Sequence, residues 1–419
     1  MERIILGIVI LMIFSLTASG QSKEEYLKEN RYDLRNNKFE FLQRDFKIIG
    51  FGAVHGSAKT EDAEFLLLKT LMKRKAIKYY LPETDIGIAY YLNTYLKTGD
   101  TLLLKDLVYH YGERVPQEKS VETYNKWKRI KQLNDTLQPD NKLAVVGIDC
   151  IVTYKYISKY LLELFSETGV KTKPMVKLTD MIQTDSTDFS PYYNSYSKQV
   201  LQELITDIRS KPGLYDSSIK DKQLVDYILS NIEISFKSEW RDRERIIFDN
   251  YLSLSKLYNF NIKPQFARFG FSHLEKSSEG NYPSFFAMLV ENEIYSRNEV
   301  VTVMGYLTKS RVLWDVFYDK LGNYKGYSTK GGYGIGDYWK ERFKGIKLLK
   351  KAKLSDLTLF RLNQKNTPYN NGEADFIEVE LFFKKSNRHL IKGKSTVDFI
   401  DYAVLISDSP ANKAIQEIK

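Results

Sequence analysis

The segment Phe46-Lys-Ile-Ile-Gly-Phe-Gly-Ala-Val-His55-Gly56-Ser57 constrains the fold more than any other stretch of the chain. Residues 48–54 form an almost unbroken apolar run, which a strand needs when helices cover both faces of its sheet. The run stops at His-Gly-Ser, and residues 61–74 then carry apolar side chains at the spacing of an amphipathic helix. The alternation repeats. A strand is predicted over 77–81, ending in Pro82-Glu83, and a helix over 86–97, stopped by Thr98-Gly99. Another helix over 122–134 leads to a strand over 142–148 that ends in Asp149. Such alternation predicts an α/β fold, with a mostly parallel central sheet flanked by helices.

From 154 to 257 the spacing is helical almost throughout, which predicts a helical insertion over about 155–258. Strands are expected again at 265–270, 300–307, 357–362, 376–383 and 402–406. Residues 322–338, rich in Gly and Tyr and without periodicity, read as an aromatic loop. The basic run at 340–353 reads as a solvated helix face. There is no repeat and no Pro/Ser-rich linker, so residues 47–419 are expected to form one domain behind a polar lead-in at 21–46. Residues 1–20 combine Arg3, an apolar stretch to about Leu16 and Thr-Ala-Ser-Gly, the pattern of a cleaved signal peptide. That pattern implies export to a periplasm or the exterior; an uncleaved N-terminal anchor is the alternative reading. No other segment is long and apolar enough to span a bilayer.

The net charge of +10 is spread along the chain rather than gathered into a basic patch, so no nucleic-acid partner is expected. The single cysteine, Cys150, excludes an internal disulfide and reads as a small core residue. No Cys/His spacing indicates zinc, and no cofactor is expected.

The chemistry-bearing residues gather at strand ends. Three predicted strands finish at His55, Glu83 and Asp149, and the fourth, 265–270, leads into Phe271-Ser-His273. Parallel neighbours would bring these ends to one crevice. There one imidazole can take a proton, a carboxylate can orient it, and a second imidazole can return a proton. The other two histidines read differently: His110, beside Tyr111-Gly-Glu113-Arg114, as a surface residue in a loop with a pocket role the alternative, and His389, in a basic polar stretch, as structural or exposed. Among Tyr79, Tyr80, Tyr90, Tyr91 and Tyr95, packing accounts for most, with Tyr90 a candidate to line a pocket. No Gly-x-Ser-x-Gly occurs, and Ser272 reads as a turn residue.

In order and spacing these motifs resemble the erythromycin esterase family. The resemblance rests on His55-Gly56, Glu83, Asn93-Thr-Tyr95 with Gly99, the helix from Glu122 to Asn134, and Gly147-Ile-Asp149. It continues through Arg243-Glu244-Arg-Ile-Ile247-Phe-Asp-Asn250, Gly270-Phe-Ser-His273, and Tyr402-Ala-Val-Leu-Ile with Ser409-Pro-Ala411. The resemblance implies hydrolysis of a small-molecule ester by histidine-activated water. His55 would be the general base, Glu83 its support, and His273 an acid or transition-state stabiliser. Asp149, Arg268 and Tyr90 are the candidates for substrate contact. Three positions depart from the family pattern: Gly52 replaces a glutamate, Glu64 an arginine, and Gly270 a histidine. Arg268 and Glu275 are the nearby groups able to compensate. A metal held by His55, Glu83 and His273 ranks below direct general-base catalysis, because that ligand set is incomplete. A non-catalytic binding protein retaining the fold is the alternative function.

Overall fold

A computed structural model describes residues 21–418, apart from 37–38, 42–44, 75–76, 167–170, 185–187, 238–242, 333–335 and 383. The signal-peptide expectation for residues 1–20 lies outside the described residues. The described residues contain the strands β1 (Arg31–Asp33), β2 (Ile48–Ala53), β3 (Tyr79–Pro82), β4 (Ala144–Val145), β5 (Gln265–Phe269), β6 (Val300–Thr308), β7 (Val312–Tyr318), β8 (Tyr324–Lys330), β9 (Glu341–Phe343), β10 (Leu357–Arg361), β11 (Val379–Leu381) and β12 (Tyr402–Ser407).

Eight of them form the central sheet in the order β1-β10-β12-β6-β2-β5-β3-β4. From β12 to β4 every pairing is parallel, and only β10 and β1 join antiparallel at one edge. Alternate side chains of each strand feed opposite faces, as the two-residue period requires. Ile48, Tyr79, Leu81, Ala267 and Phe269 join one apolar cluster. Ile49, Phe51, Ala53, Tyr80 and Phe266 join the other. The helices Ala58–Lys73, Ile86–Thr98, Thr101–Tyr111 and Val121–Asp135 pack into the second cluster. Most buried apolar residues of the helices between Tyr154 and Tyr258 belong to the first and Tyr156 to the second, so the helical stretch mainly covers one face of the sheet. Among the described residues no helix is long and apolar enough to cross a membrane.

The structure corrects several expectations. The strand over 142–148 shrinks to Ala144–Val145, because the chain passes so close to Asp85 that a Cβ on Gly147 would lie 2.0 Å from the Asp85 carbonyl oxygen. Three asparagines bond the released backbone: Asn93 to Val145, Asn134 to the Leu143 N–H and Asn250 to the Ile148 carbonyl. The loop over 322–338 contains β8, which pairs antiparallel with β7 outside the main sheet. Neither strand of this hairpin has a fully buried face, so no hydrophobic alternation marked it. The 376–383 strand is only β11, paired with β9 and preceded by Phe376 at a left-handed φ of 71°. The basic run holds β9 and the helix Ile346–Ala352, whose Ile346, Leu349 and Ala352 are buried. The lead-in holds a capped helix, Lys23–Glu29, and the edge strand β1. His110 sits in the last turn of the helix Thr101–Tyr111 rather than in a loop.

Candidate active site

The order β2-β5-β3-β4 makes the four chemistry-bearing strand ends consecutive neighbours. His55 lies just beyond β2, Glu83 directly after β3, and Gly270 to His273 directly after β5. Glu83 stands between the two imidazoles. One of its oxygens is 3.2 Å from His55 Nε2 and accepts the Gly270 N–H at 2.7 Å; the other is 3.7 Å from His273 Nε2. A Cβ on Gly270 would meet His55 Nε2 and His273 Cδ2, each at 3.4 Å. The missing side chain therefore leaves the space between the rings open. His55 and His273 keep 16% and 12% of their side-chain surface exposed, against 2% for Glu83, so the imidazoles are what a ligand meets.

Sequence reasoning assigned no role to four residues that complete this cluster. Glu118, in the turn Pro116–Glu118, contacts His55 Nδ1 at 2.6 Å, while its other oxygen accepts from the Thr123 hydroxyl at 2.8 Å. Arg243, the first residue of the helix Arg243–Tyr258, donates to Glu83 at 2.6 Å and to both oxygens of Asp149 at 3.1 and 2.6 Å. Its Nη1 also stands 3.3 Å from His273 Nε2. Glu244 contacts His273 Nδ1, and Arg114 pairs with Asp149 at 2.6 Å. Arg243 and Glu244 lie in a motif already noted, so their signal was present; a turn glutamate such as Glu118 carries no local signature.

The buried charges set the protonation states. Burial alone would lower the His55 pKa, but the Glu83 charge and the hydrogen bonds to Glu118 and Glu83 outweigh it and raise the imidazole to about 9. For Glu118, burial opposes ionisation, yet the bond to His55 and the charges of His55, Lys126 and Arg268 bring it down to about 2. Glu83 is likewise held well below the usual carboxylate range, against its burial, by His55, Arg243 and His273. Asp149 is lowered by Arg114 and Arg243. The resting arrangement is thus an imidazolium clamped between two carboxylates.

The three residues expected to touch substrate are elsewhere engaged. The Asp149 carboxylate is sealed beneath Arg114 and Arg243 and positions them. Arg268 is buried behind the site, 3.2 Å from Glu64 and 3.9 Å from Glu118. Tyr90 stacks on Tyr160 and donates to Glu163. The departures also find physical partners. Glu64 and Arg268 form a buried ion pair, so the cation comes from β5. A Cβ on Gly52 would lie 2.6 Å from the Met304 sulfur, which fills the volume a glutamate there would enter. Glu275 is buried, and like-charged Glu279 is among the groups holding its proton on. Ser272 is exposed in the turn Phe271–Leu274, and of the two readings of His389 the structure shows the exposed one. Cys150 is only half-buried; it lines a pocket beside Arg114 and Arg243, where burial and Asp149 raise its thiol to about 12. Among the described residues no group of three or more His, Cys, Asp or Glu is arranged to hold a metal.

No family model matches the chain, and no curated protein sequence matches it. Solved structures do. A Bacillus cereus protein superposes with a TM-score of 0.61 at 14% identity, covering 93% of this chain and 98% of its own. A histidine-to-asparagine mutant of an erythromycin esterase, in its open conformation, gives 0.58 at 13% identity, covering 92% and 98%. A succinoglycan biosynthesis protein gives 0.57 at 13% identity, covering 94% and 100%. The chain shares the fold of these proteins over nearly its whole length.

Proposed function

We propose that the protein hydrolyses an ester-type bond in a small molecule, with His55 activating water. The observation that carries this reading is the convergence of His55, Glu83 and His273 on one opening above Gly270, in a fold shared with an erythromycin esterase. In this reading, neutral His55 keeps its Nδ1 proton on Glu118 and accepts a proton from water at Nε2. The hydroxide forms the C–O bond to the ester carbonyl carbon. Collapse of the tetrahedral adduct breaks the bond to the alcohol oxygen, which takes a proton from His273; the proton held by His55 then passes through solvent to His273, restoring both imidazoles. Arg243 holds Glu83 and stands beside His273, where its charge favours a developing oxyanion. Turnover of 4-nitrophenyl and aryl acetates by the wild type, reduced at least a hundredfold in His55→Ala, is the expected result. Equal rates in the two proteins would sink the assignment.

A second reading, a ligand-binding protein without turnover, draws on one observation: His55 stands between the carboxylates of Glu83 and Glu118, at 3.2 and 2.6 Å, which favour its charged form and raise its pKa to about 9. A general base must first lose that proton. The two readings therefore part in alkaline solution. As a hydrolase, kcat/KM rises with pH and levels off above about 9; as a binding protein, no ester is turned over at pH 9.5 either. Export is part of the proposal: protein recovered outside the cytoplasm should begin near Gln21 on N-terminal sequencing, whereas an intact Met1 in the membrane fraction would favour the anchor.

A further inference from the structure

A cavity of about 570 Å³ borders the histidine cluster through Phe271 and Ser272, the residues that follow Gly270 and precede His273. Its walls are mostly apolar: Phe271 and Phe343, stacked with ring centres 5.0 Å apart, with Ile377, Val379, Leu381 and Leu390. Such a volume holds a drug-sized molecule. One polar group breaks that surface. Glu275 lines the cavity although only 6% of the residue is exposed. The Ser284 hydroxyl donates to its backbone carbonyl, but its carboxyl has neither a hydrogen bond nor an ion pair among the described residues. Within the lining segments only Phe383 lies outside the described residues, and a phenylalanine brings no charge. A buried polar group without a partner costs stability, so one that lines a cavity points to a ligand. Burial and the neighbouring Glu279 carboxylate push the Glu275 carboxyl well above its ordinary range, against Lys394. It therefore keeps its proton and presents an O–H donor to the cavity. Glu279 is already engaged by Asn387 at 3.0 Å, and Lys385 lines the cavity from an exposed position. Those two charges offset each other, which leaves no strong field of one sign to draw in an ion.

We infer that this cavity is a binding site for an uncharged, apolar ring compound bearing an acceptor oxygen, such as a ketone, to which the Glu275 O–H donates. The site is distinct from the histidine opening, since its lining includes none of His55, Glu83 and His273. Its occupancy does not depend on ester turnover. The apolar walls bury the ring system, and Glu275 selects the oxygen. A hydrocarbon of the same shape leaves the acid unpaired, and an ammonium meets the O–H with N–H groups of its own. Discrimination arises from that difference.

The test measures binding of 1-tetralone, tetralin and 1-aminotetralin by equilibrium dialysis at pH 7. The wild type should bind the ketone at least tenfold more tightly than either of the others. Glu275→Leu should erase the preference over tetralin, and Glu275→Gln, which keeps an N–H donor, should retain it. Val379→Trp, which fills the cavity from β11, should abolish ketone binding. Equal binding of ketone and hydrocarbon, a preference for the amine, or ketone binding that survives Val379→Trp overturns the site. Urea unfolding separates recognition from a structural role. The Glu275 carboxyl has no native partner to lose, so Glu275→Leu should unfold at the wild-type urea midpoint or above it. A lower midpoint would show that the acid braces the fold, and rejects its assignment to a ligand.

Discussion

His55 is the residue on which the site depends, and its behaviour follows from two carboxylates that cannot leave. Glu118 and Glu83 are both buried and fixed on their far sides, Glu118 by Thr123 and Glu83 by Arg243 and the Gly270 N–H. Replacing Glu118 by Gln removes one charge at 2.6 Å while keeping the shape. The His55 pKa should then drop by at least about one unit from its value near 9, read from the pH titration of its ring proton by NMR. An unchanged titration would show that Glu118 does not govern the imidazole. Behind it, Glu64 neutralises both Arg268 and Lys126, at 3.2 and 2.7 Å. Glu64→Ala leaves buried cations short of a partner, and removing one partner of such a group typically destabilises by about 3–5 kcal/mol. Urea unfolding checks this; a loss below 1 kcal/mol would mean that water or Glu61 takes over.

At the scale of elements, the short edge strand β4 does more than its length suggests. It delivers Asp149 to Arg114 and Arg243, and its position is set by side chains of Asn93, Asn134 and Asn250 and by the close approach of Gly147 to Asp85. The motif asparagines are thus scaffolding for an anchor, not contacts for a ligand. Gly147→Ala forces backbone against backbone, so a loss of about 1–3 kcal/mol in unfolding free energy is expected, as for other overpacked sites. The proposed ester turnover should fall with it, because Asp149 holds Arg243. Normal stability in this variant would show that the Asp85 loop can retreat. The buried parallel strands were legible because both of their faces are covered, which writes a continuous apolar run into the sequence. The β7–β8 hairpin was not, because a ribbon with little buried surface has no such run to show.

For the whole molecule, the clamped imidazolium couples folding to pH. The folded pKa of about 9 exceeds the ordinary value of 6.5, so the stabilisation is fully present below pH 6.5 and is lost as pH rises through 9. By linkage it amounts to about 3 kcal/mol at most. The melting temperature should therefore fall between pH 6.5 and 9.5, and the fall should flatten in His55→Gln. An equally steep fall in that variant would assign the effect to other groups. The buried parallel strands β2, β3, β5, β6 and β12, and the placing of His55 and Glu83 just after two of them, followed from the sequence alone, whereas β7, β8 and the shortness of β4 did not. Apolar periodicity and stop signals are local properties, and they are written residue by residue. Only the tertiary structure decided that β5 inserts between β2 and β3, that Glu118 reaches His55 from a turn, and that Arg268 backs the site instead of facing it. Strand order and ion pairing join residues far apart in the chain, and the energies that select them come from burial and charge in three dimensions, which no local pattern encodes.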